Sequence, residues 1–131
     1  MSYEILKKHR EIWKQKKILR VIYHDWYRMI IENIVNDGPT LEIGAGTGNL
    51  KEYYTNLIAS DYTYCEWLDV VLDAQELPCR DSSLGNIIAV DVLHHLEYPT
   101  LFLKEAQRGL KNNGRLIMLE PYISPFSYLI Y

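Results

Sequence analysis

This chain of 131 residues lacks long apolar runs and closely spaced cysteines. No stretch of about 18 or more apolar residues occurs and the first residues are polar, so we expect neither a membrane-spanning helix nor a secretory signal. Its two cysteines, Cys65 and Cys79, have neither Cys-x-x-Cys nor metal-ligand spacing, which predicts reduced thiols and no metal site. These absences indicate a cytoplasmic protein without disulfide framework, metal or membrane insertion.

Hydrophobic residues make up 48% of the chain, which suffices for one core but hardly for two. We therefore expect a single domain, in which residues 1–37 form a helical segment and residues 38–131 form an α/β part.

The first 20 residues are basic: they hold seven Lys or Arg against Glu4 and Glu11, a balance of +5, so the rest carries −8 to give the net −3. Between Ile5 and Trp26, apolar residues recur at spacings of three, four and seven, which predicts amphipathic helix with a solvated basic face. An anionic partner, either nucleic acid or a membrane surface, is the less favoured interpretation.

Strands and helices alternate after residue 38. Helical structure is predicted from an N-cap at Ser2 to about Val35, with room for a break, and residues 36–39 form a stop signal. Strands are predicted at 40–43, 57–60, 69–72, 86–90 and 115–119, and helices at 49–54 and 100–110. This alternation predicts an open, mostly parallel α/β sheet with ligands at the carboxyl ends of its strands.

Three glycines at every second position, Gly44, Gly46 and Gly48, join the first strand to the next helix. Glycine lets the backbone approach a ligand closely, and the following helix offers free N–H groups, which is the chemistry of a nucleotide-type cofactor site. A dinucleotide fingerprint would place a small residue where Asn49 stands, so a nicotinamide-dependent oxidoreductase is disfavoured.

These residues resemble the class I S-adenosylmethionine-dependent methyltransferases, and among them the quinone-biosynthesis C-methyltransferases. The resemblance runs from about residue 38 to 124, with a Rossmann-like fold implied. Five segments carry it in the family's order: 41–50, 59–61, 71–78, 91–96 and 110–118, of which the last resembles the family's late turn and next strand.

The resemblance implies a set of cofactor-binding residues. In the family, Glu42 would help to hold the amino group of the methionine part, and the acid Asp61 is placed for both ribose hydroxyls. Asp73 and Ala74 match the adenine-contacting pair, although Asp73 also suits a simple turn. The complete set consists of Glu42, Gly44, Ala45, Gly46, Gly48, Asp61, Asp73, Ala74 and Asp91.

Residues 91–96 follow the fourth strand, which should lie beside the first, so this segment should border the transferable methyl group. His95 is the candidate base for an oxygen or carbon acceptor, with packing or helix capping by His94 or His95 as the alternative. Tyr23, Trp26 and Tyr27 are candidates for a lid over the sulfonium, although aromatic residues at helical spacing more often form core.

Two departures from the family stand out. Residues 62–68 are too few for a crossover helix between the second and third strands, so an irregular loop is expected there. The family's final antiparallel strand pair is not found before Tyr131, which predicts a truncated domain. Its fifth strand would then be an edge that self-associates or is shielded by residues 121–131.

The sequence thus predicts a methyltransferase that uses S-adenosylmethionine and acts on oxygen or carbon of a small-molecule acceptor. A non-catalytic cofactor-binding subunit or fragment is the alternative, and an oxidoreductase is the weaker one.

Overall fold

A computed structural model describes residues 1–121, in which five strands form one parallel sheet in the order β3-β2-β1-β4-β5. The strands are β1 (Thr40–Ile43), β2 (Ile58–Asp61), β3 (Val70–Val71), β4 (Leu84–Val90) and β5 (Leu110–Leu119). The helices are α1 (Tyr3–Gln15), α2 (Lys17–Glu32) and α3 (Pro99–Gly109). The predicted open, Rossmann-like parallel sheet is confirmed.

Strand β4 lies between β1 and β5, and its side chains are buried on both faces of the sheet. Ile87 faces an apolar cluster that includes Phe102 of α3, whereas the next residue, Ile88, faces a second cluster with Trp13 of α1 and Tyr27 of α2. This alternation places α3 on one face of the sheet and the two N-terminal helices on the other. It explains why the sequence of β4 is an uninterrupted apolar run.

The N-terminal helical region is broken at Lys16, whose backbone is extended, and α2 ends at Glu32 rather than near Val35. Ser2 is the N-cap residue, but its side chain makes no capping hydrogen bond. After α2, the buried Asn86 of β4 accepts a hydrogen bond from the Val35 N–H (2.9 Å) and donates one to its carbonyl (2.8 Å). Asn86 thus supplies the hydrogen bonds that residue 35 would make in a helix. It also fixes the segment between α2 and β1 to the sheet.

The predicted turn between α3 and β5 is a bulge within the strand. Leu110 already pairs with Leu84, but Arg115 pairs with Asn86, so residues 111–114 form an excursion on the β5 side. A Cβ atom on Gly114 would lie 3.0 Å from the Gly85 carbonyl oxygen, so glycine permits this close approach. The predicted helix at 49–54 is a single 3₁₀ turn, Asn49–Glu52.

The connection from β2 to β3 contains no helix, as the short spacing predicted. Asp69 closes it: its backbone N–H donates to the Ala59 carbonyl (2.9 Å), and its side chain accepts from the Ala59 N–H (2.8 Å). Within residues 1–121, no helix is long and apolar enough to cross a membrane, and no cluster of potential metal ligands occurs. The sequence also predicted, as one alternative, that residues 121–131 shield the edge of β5. Residues 122–131 lie outside the part of the chain that the structure describes.

Candidate functional site

The three glycines after β1 form a loop at the carboxyl end of the sheet. All of them have left-handed backbones, with φ of 60° at Gly44, 51° at Gly46 and 70° at Gly48. A Cβ atom on Gly44 would lie only 2.5 Å from a methyl group of Val92, which follows β4. The first glycine therefore serves both the turn and the packing of the loop against the segment after β4.

Hydrogen bonds tie this loop to the end of β2. The Ala45 N–H donates to the Ser60 carbonyl (2.8 Å), and the Gly46 N–H donates to Asp61 Oδ2 (3.0 Å). The other oxygen of Asp61 accepts from the Thr63 N–H (2.9 Å). Because each carboxylate oxygen can accept two hydrogen bonds, Asp61 keeps acceptor capacity for the hydroxyls of a ribose.

Glu42 lies on β1, two residues before the first glycine, and only 4% of its surface is exposed. Its Oε2 atom is buried and has no hydrogen-bond partner among the described residues, and the same holds for Oδ1 of Asn49. Burial raises the pKa of Glu42 to about 8, and the negative charge of Asp61 adds to this effect. A buried acceptor without a donor is costly, so this position suits a ligand that brings N–H groups.

The predicted adenine pair follows β3. Asp73 Oδ1 accepts from the Gln75 N–H (2.8 Å), which is the turn geometry that the sequence left open for this residue. Ala74 is buried in the apolar cluster that also contains Leu72 and Leu77. Contact of Asp73 and Ala74 with adenine stays a prediction.

The segment after β4 is held by the end of β5. Asp91 has φ of 55°, and its N–H donates to the Leu119 carbonyl (2.8 Å). Glu120 Oε1 accepts from the N–H groups of Val92 (2.9 Å) and Leu93 (2.7 Å), and its Oε2 lies 2.7 Å from His94 Nδ1. Sequence reasoning missed Glu120, because no motif marks an acid that acts on a segment 26 residues before it.

His95 lies in the same segment and is exposed. Its backbone N–H donates to the Val92 carbonyl (2.9 Å), and its ring centroid lies 4.0 Å from that of His94. The structure thus places His95 after the carboxyl end of β4, in the segment whose Val92 packs against the first glycine of the loop.

Helix α1 covers the glycine loop. Arg10 donates to the Thr47 carbonyl, and the buried Leu6 lies 3.5 Å from the position of a Cβ atom on Gly46. From the β2–β3 connection, the indole N–H of Trp67 donates to the Gly46 carbonyl (2.9 Å), and the Arg10 guanidinium lies 5.0 Å from its ring centre. The sequence did not identify Arg10 or Trp67 as site residues, because neither belongs to a motif.

The aromatic residues predicted as a lid pack as a cluster on α2. Tyr23 contacts Trp26 at a centroid distance of 4.9 Å and Trp13 at 5.5 Å, and Tyr27 is only 4% exposed. Burial raises the pKa of Tyr27 far above its usual value, and the negative charge of Glu42 adds to this effect. Tyr27 is therefore part of the core and Tyr23 packs against it, whereas Trp26 is half-buried and contacts Tyr23.

The residues present fit S-adenosylmethionine. The unpartnered Glu42 oxygen suits its ammonium group, and Asp61 retains acceptor capacity for a ribose. These groups lie at the carboxyl ends of β1 and β2, next to the point where the strand order reverses between β1 and β4.

Comparison with known proteins agrees with this chemistry. The methyltransferase domain family matches residues 41–118, whereas no curated protein is significantly similar in sequence. A candidate S-adenosyl-L-methionine-dependent methyltransferase of Methanococcus maripaludis superposes with a TM-score of 0.70 at 15% identity, over 92% of this chain and 64% of that one. The YcgJ protein of Bacillus subtilis gives 0.67 at 22% identity, over 82% and 54%.

An S-adenosylmethionine-dependent methyltransferase of Thermotoga maritima gives a TM-score of 0.60 at 28% identity, over 70% of this chain and 48% of that one. The chain thus spans about half to two thirds of the length of these three solved structures. The family and these structures imply S-adenosylmethionine as the cofactor. The chain belongs to the methyltransferase domain family, which matches it from Leu41 to Met118.

Proposed function

We propose that this chain contains the cofactor site of an S-adenosylmethionine-dependent methyltransferase that acts on oxygen or carbon of a small-molecule acceptor. The observation that carries the proposal is the buried, unpartnered oxygen of Glu42, on the strand that leads into a loop of three left-handed glycines. An ammonium group supplies up to three N–H donors and a positive charge beside this carboxyl, whereas other ligands supply at most the donors.

Each predicted cofactor residue has a role in this proposal. Glu42 accepts from the ammonium group, the loop from Gly44 to Gly48 lies under the methionine part, and Asp61 accepts from the ribose hydroxyls. Asp73 and Ala74 border the adenine, and Asp91 lies near the methyl group. When bound, the cofactor supplies an activated methyl group on a sulfonium, so the chain's own task is to align it with the acceptor and exclude water.

His95 is the base that the sequence predicts, and it stays a prediction. If it accepts the acceptor's proton, His95→Ala should lower turnover by about 10² while affinity for the cofactor is retained. A large fall in melting temperature of the same variant would favour a packing role. Membership of the quinone-biosynthesis branch and a cytoplasmic location also stay predictions.

Calorimetry with S-adenosylhomocysteine, S-adenosylmethionine and NAD tests the proposal. We expect a Kd for S-adenosylhomocysteine in the micromolar range, or about −8 kcal/mol. Asp61→Ala should weaken it by about 1 to 3 kcal/mol, because hydrogen bonds to the ribose are lost. Asp25→Ala, at an exposed position on α2, is the matched control and should bind normally.

Tighter binding of NAD than of S-adenosylhomocysteine would contradict the proposal and favour the oxidoreductase. Unchanged affinity of the Asp61 variant would remove that residue from the site. Binding without methyl transfer, in a protein extended beyond Tyr131 as well as in this chain, would favour the alternative of a non-catalytic cofactor-binding subunit.

A further inference from the structure

The Glu120 carboxylate at the end of β5 uses both of its oxygens on the segment after β4. Oε1 accepts from two backbone N–H groups, at 2.9 and 2.7 Å, and Oε2 lies 2.7 Å from Nδ1 of His94. The first bonds fix the backbone of the segment, so the histidine that follows has a defined position. The third bond fixes the orientation of the imidazole ring.

The charge state of Glu120 determines which nitrogen of His94 carries the proton. Partial burial by itself raises the pKa of Glu120, but hydrogen bonds from His94 and from the backbone of Leu93 and Val92 outweigh it and bring the pKa below its usual value. An ionised carboxylate only accepts hydrogen bonds, so Nδ1 of His94 must carry a hydrogen. In the neutral ring, Nε2 then has a lone pair and can accept a proton.

The place of His94 in the sheet points to the acceptor. Asp61 and the glycine loop lie on β2 and β1, on one side of the point where the strand order reverses, whereas His94 and Glu120 follow β4 and β5 on the other side. The side chain of His94 is 42% exposed, so its ring is accessible beside this edge of the site. A base at this position would serve the acceptor rather than the ribose side of the site.

We propose that His94 is the catalytic base for the acceptor and that Glu120 is its positioning residue; this rests on the proposed function. As the acceptor oxygen bonds to the methyl carbon, the carbon–sulfur bond breaks with its electron pair left on sulfur, and the acceptor's proton passes to His94 Nε2. A neutral imidazole is a weak base and takes a proton from an acidic hydroxyl far more readily than from a simple alcohol, so the acceptor is a phenol or an enol.

The adjacent His95 was the base predicted from sequence, and the two rings lie 4.0 Å apart. Within residues 1–121, no carboxylate oxygen lies within hydrogen-bond distance of the His95 ring. An imidazole ring without an orienting partner occupies several orientations and both tautomers, of which only some can accept the proton. The carboxylate of Glu120 therefore makes His94 the better candidate for the base.

Nitrogen-edited NMR of the histidine rings tests the pair without any acceptor. We expect the Nδ1–H tautomer for neutral His94, and Glu120→Gln should weaken this preference, because an amide can donate to Nδ1 as well as accept from it. The ring-nitrogen shifts of His9 and His24 should stay unchanged in that variant. The Nε2–H tautomer in the wild-type protein would overturn the proposal even if the variant failed to fold, as would an unchanged tautomer ratio of His94 in a folded variant.

Methyl transfer to catechol as a probe tests the chemical role. His94→Gln should lower turnover by about 10² with the Kd for S-adenosylhomocysteine unchanged, and it should lower turnover more than the matched His95→Gln does. Glu120→Gln should retain affinity but shift the pH profile of turnover to lower pH. The reverse order of the two histidine variants would overturn the assignment, and no methylation of catechol by the wild type would overturn the phenol class.

Calorimetry on the same samples separates failure of this inference from failure of the proposed function. Normal binding of S-adenosylhomocysteine with the wrong tautomer removes His94 as the base and leaves the cofactor site standing. The expected tautomer without any binding of S-adenosylhomocysteine contradicts the proposed function itself and removes the acceptor role of His94 with it.

Discussion

Binding of the cofactor should release a proton from Glu42. Burial and the charge of Asp61 raise the pKa of this carboxyl to about 8, so about 0.9 of it is protonated at pH 7 before binding. A ligand ammonium beside the carboxyl favours the ionised form and lowers that pKa. We therefore expect about 0.9 protons released per S-adenosylhomocysteine bound at pH 7, and about 0.1 at pH 9, where the carboxyl is already ionised.

Calorimetry in buffers of different ionisation enthalpy measures this number. The observed binding enthalpy in phosphate and in Tris at one pH differs in proportion to the protons exchanged. Glu42→Gln has nearly the same shape but cannot ionise, so its value gives the protons that the ligand and other groups exchange. Glu32→Gln, at an exposed position on α2, should behave like the wild type. Equal proton release by the wild type and Glu42→Gln would refute the reasoning.

The same raised pKa predicts how stability depends on pH. In the folded chain Glu42 holds its proton up to about pH 8, whereas in the unfolded chain it loses it near the ordinary value of 4.5. Stability from this group is therefore fully present below pH 4.5 and is lost as the pH rises to 8, by up to about 5 kcal/mol. Urea unfolding at pH 5.5 and 8.5 should show this loss in the wild type and much less of it in Glu42→Gln.

Further variants test packing and edges. Gly44→Ala should cost about 1 to 3 kcal/mol more than Gly46→Ala by urea unfolding, because both glycines have positive φ but only the first would bring a Cβ atom to 2.5 Å from Val92. Asn86→Ala should cost about 1 to 3 kcal/mol, since both backbone groups of residue 35 lose their partner; an unchanged urea midpoint would refute this. Trp67→Phe should speed dissociation of S-adenosylhomocysteine in stopped flow, because the hydrogen bond to the glycine loop is lost. Strand β5 is an edge of the described sheet, so sedimentation velocity should show concentration-dependent association that Met118→Lys reduces.

The features that sequence predicted correctly depend on neighbours in the chain. The strand before the glycines, the left-handed loop and the apolar run of β4 each follow from residues a few positions apart, and the structure places them where the spacing indicates. The absence of a crossover helix followed from the count of residues available between β2 and β3. These predictions needed no knowledge of which distant segments meet.

The features that sequence missed depend on contacts between distant segments. Residues 110–114 have the composition of a turn. In the structure Leu110 pairs with Leu84 and belongs to β5, and the residues that follow form a bulge. Nothing near Glu120 distinguishes it from any acid after a strand until β4 and β5 are paired. Arg10 likewise has the spacing of a solvated basic face, but it donates to the glycine loop, 37 residues away.

The short connection between β2 and β3 changes what holds the cofactor loop. With no crossover helix, Trp67 of this connection donates its indole N–H to the Gly46 carbonyl, and Tyr3 and Arg10 of α1 lie against its ring. The basic N-terminal helix is thus part of the wall of the site, because its Leu6 and Arg10 contact the loop directly. A ligand that displaces the loop would therefore disturb two sets of contacts, the hydrogen bond from Trp67 and the direct contacts from α1.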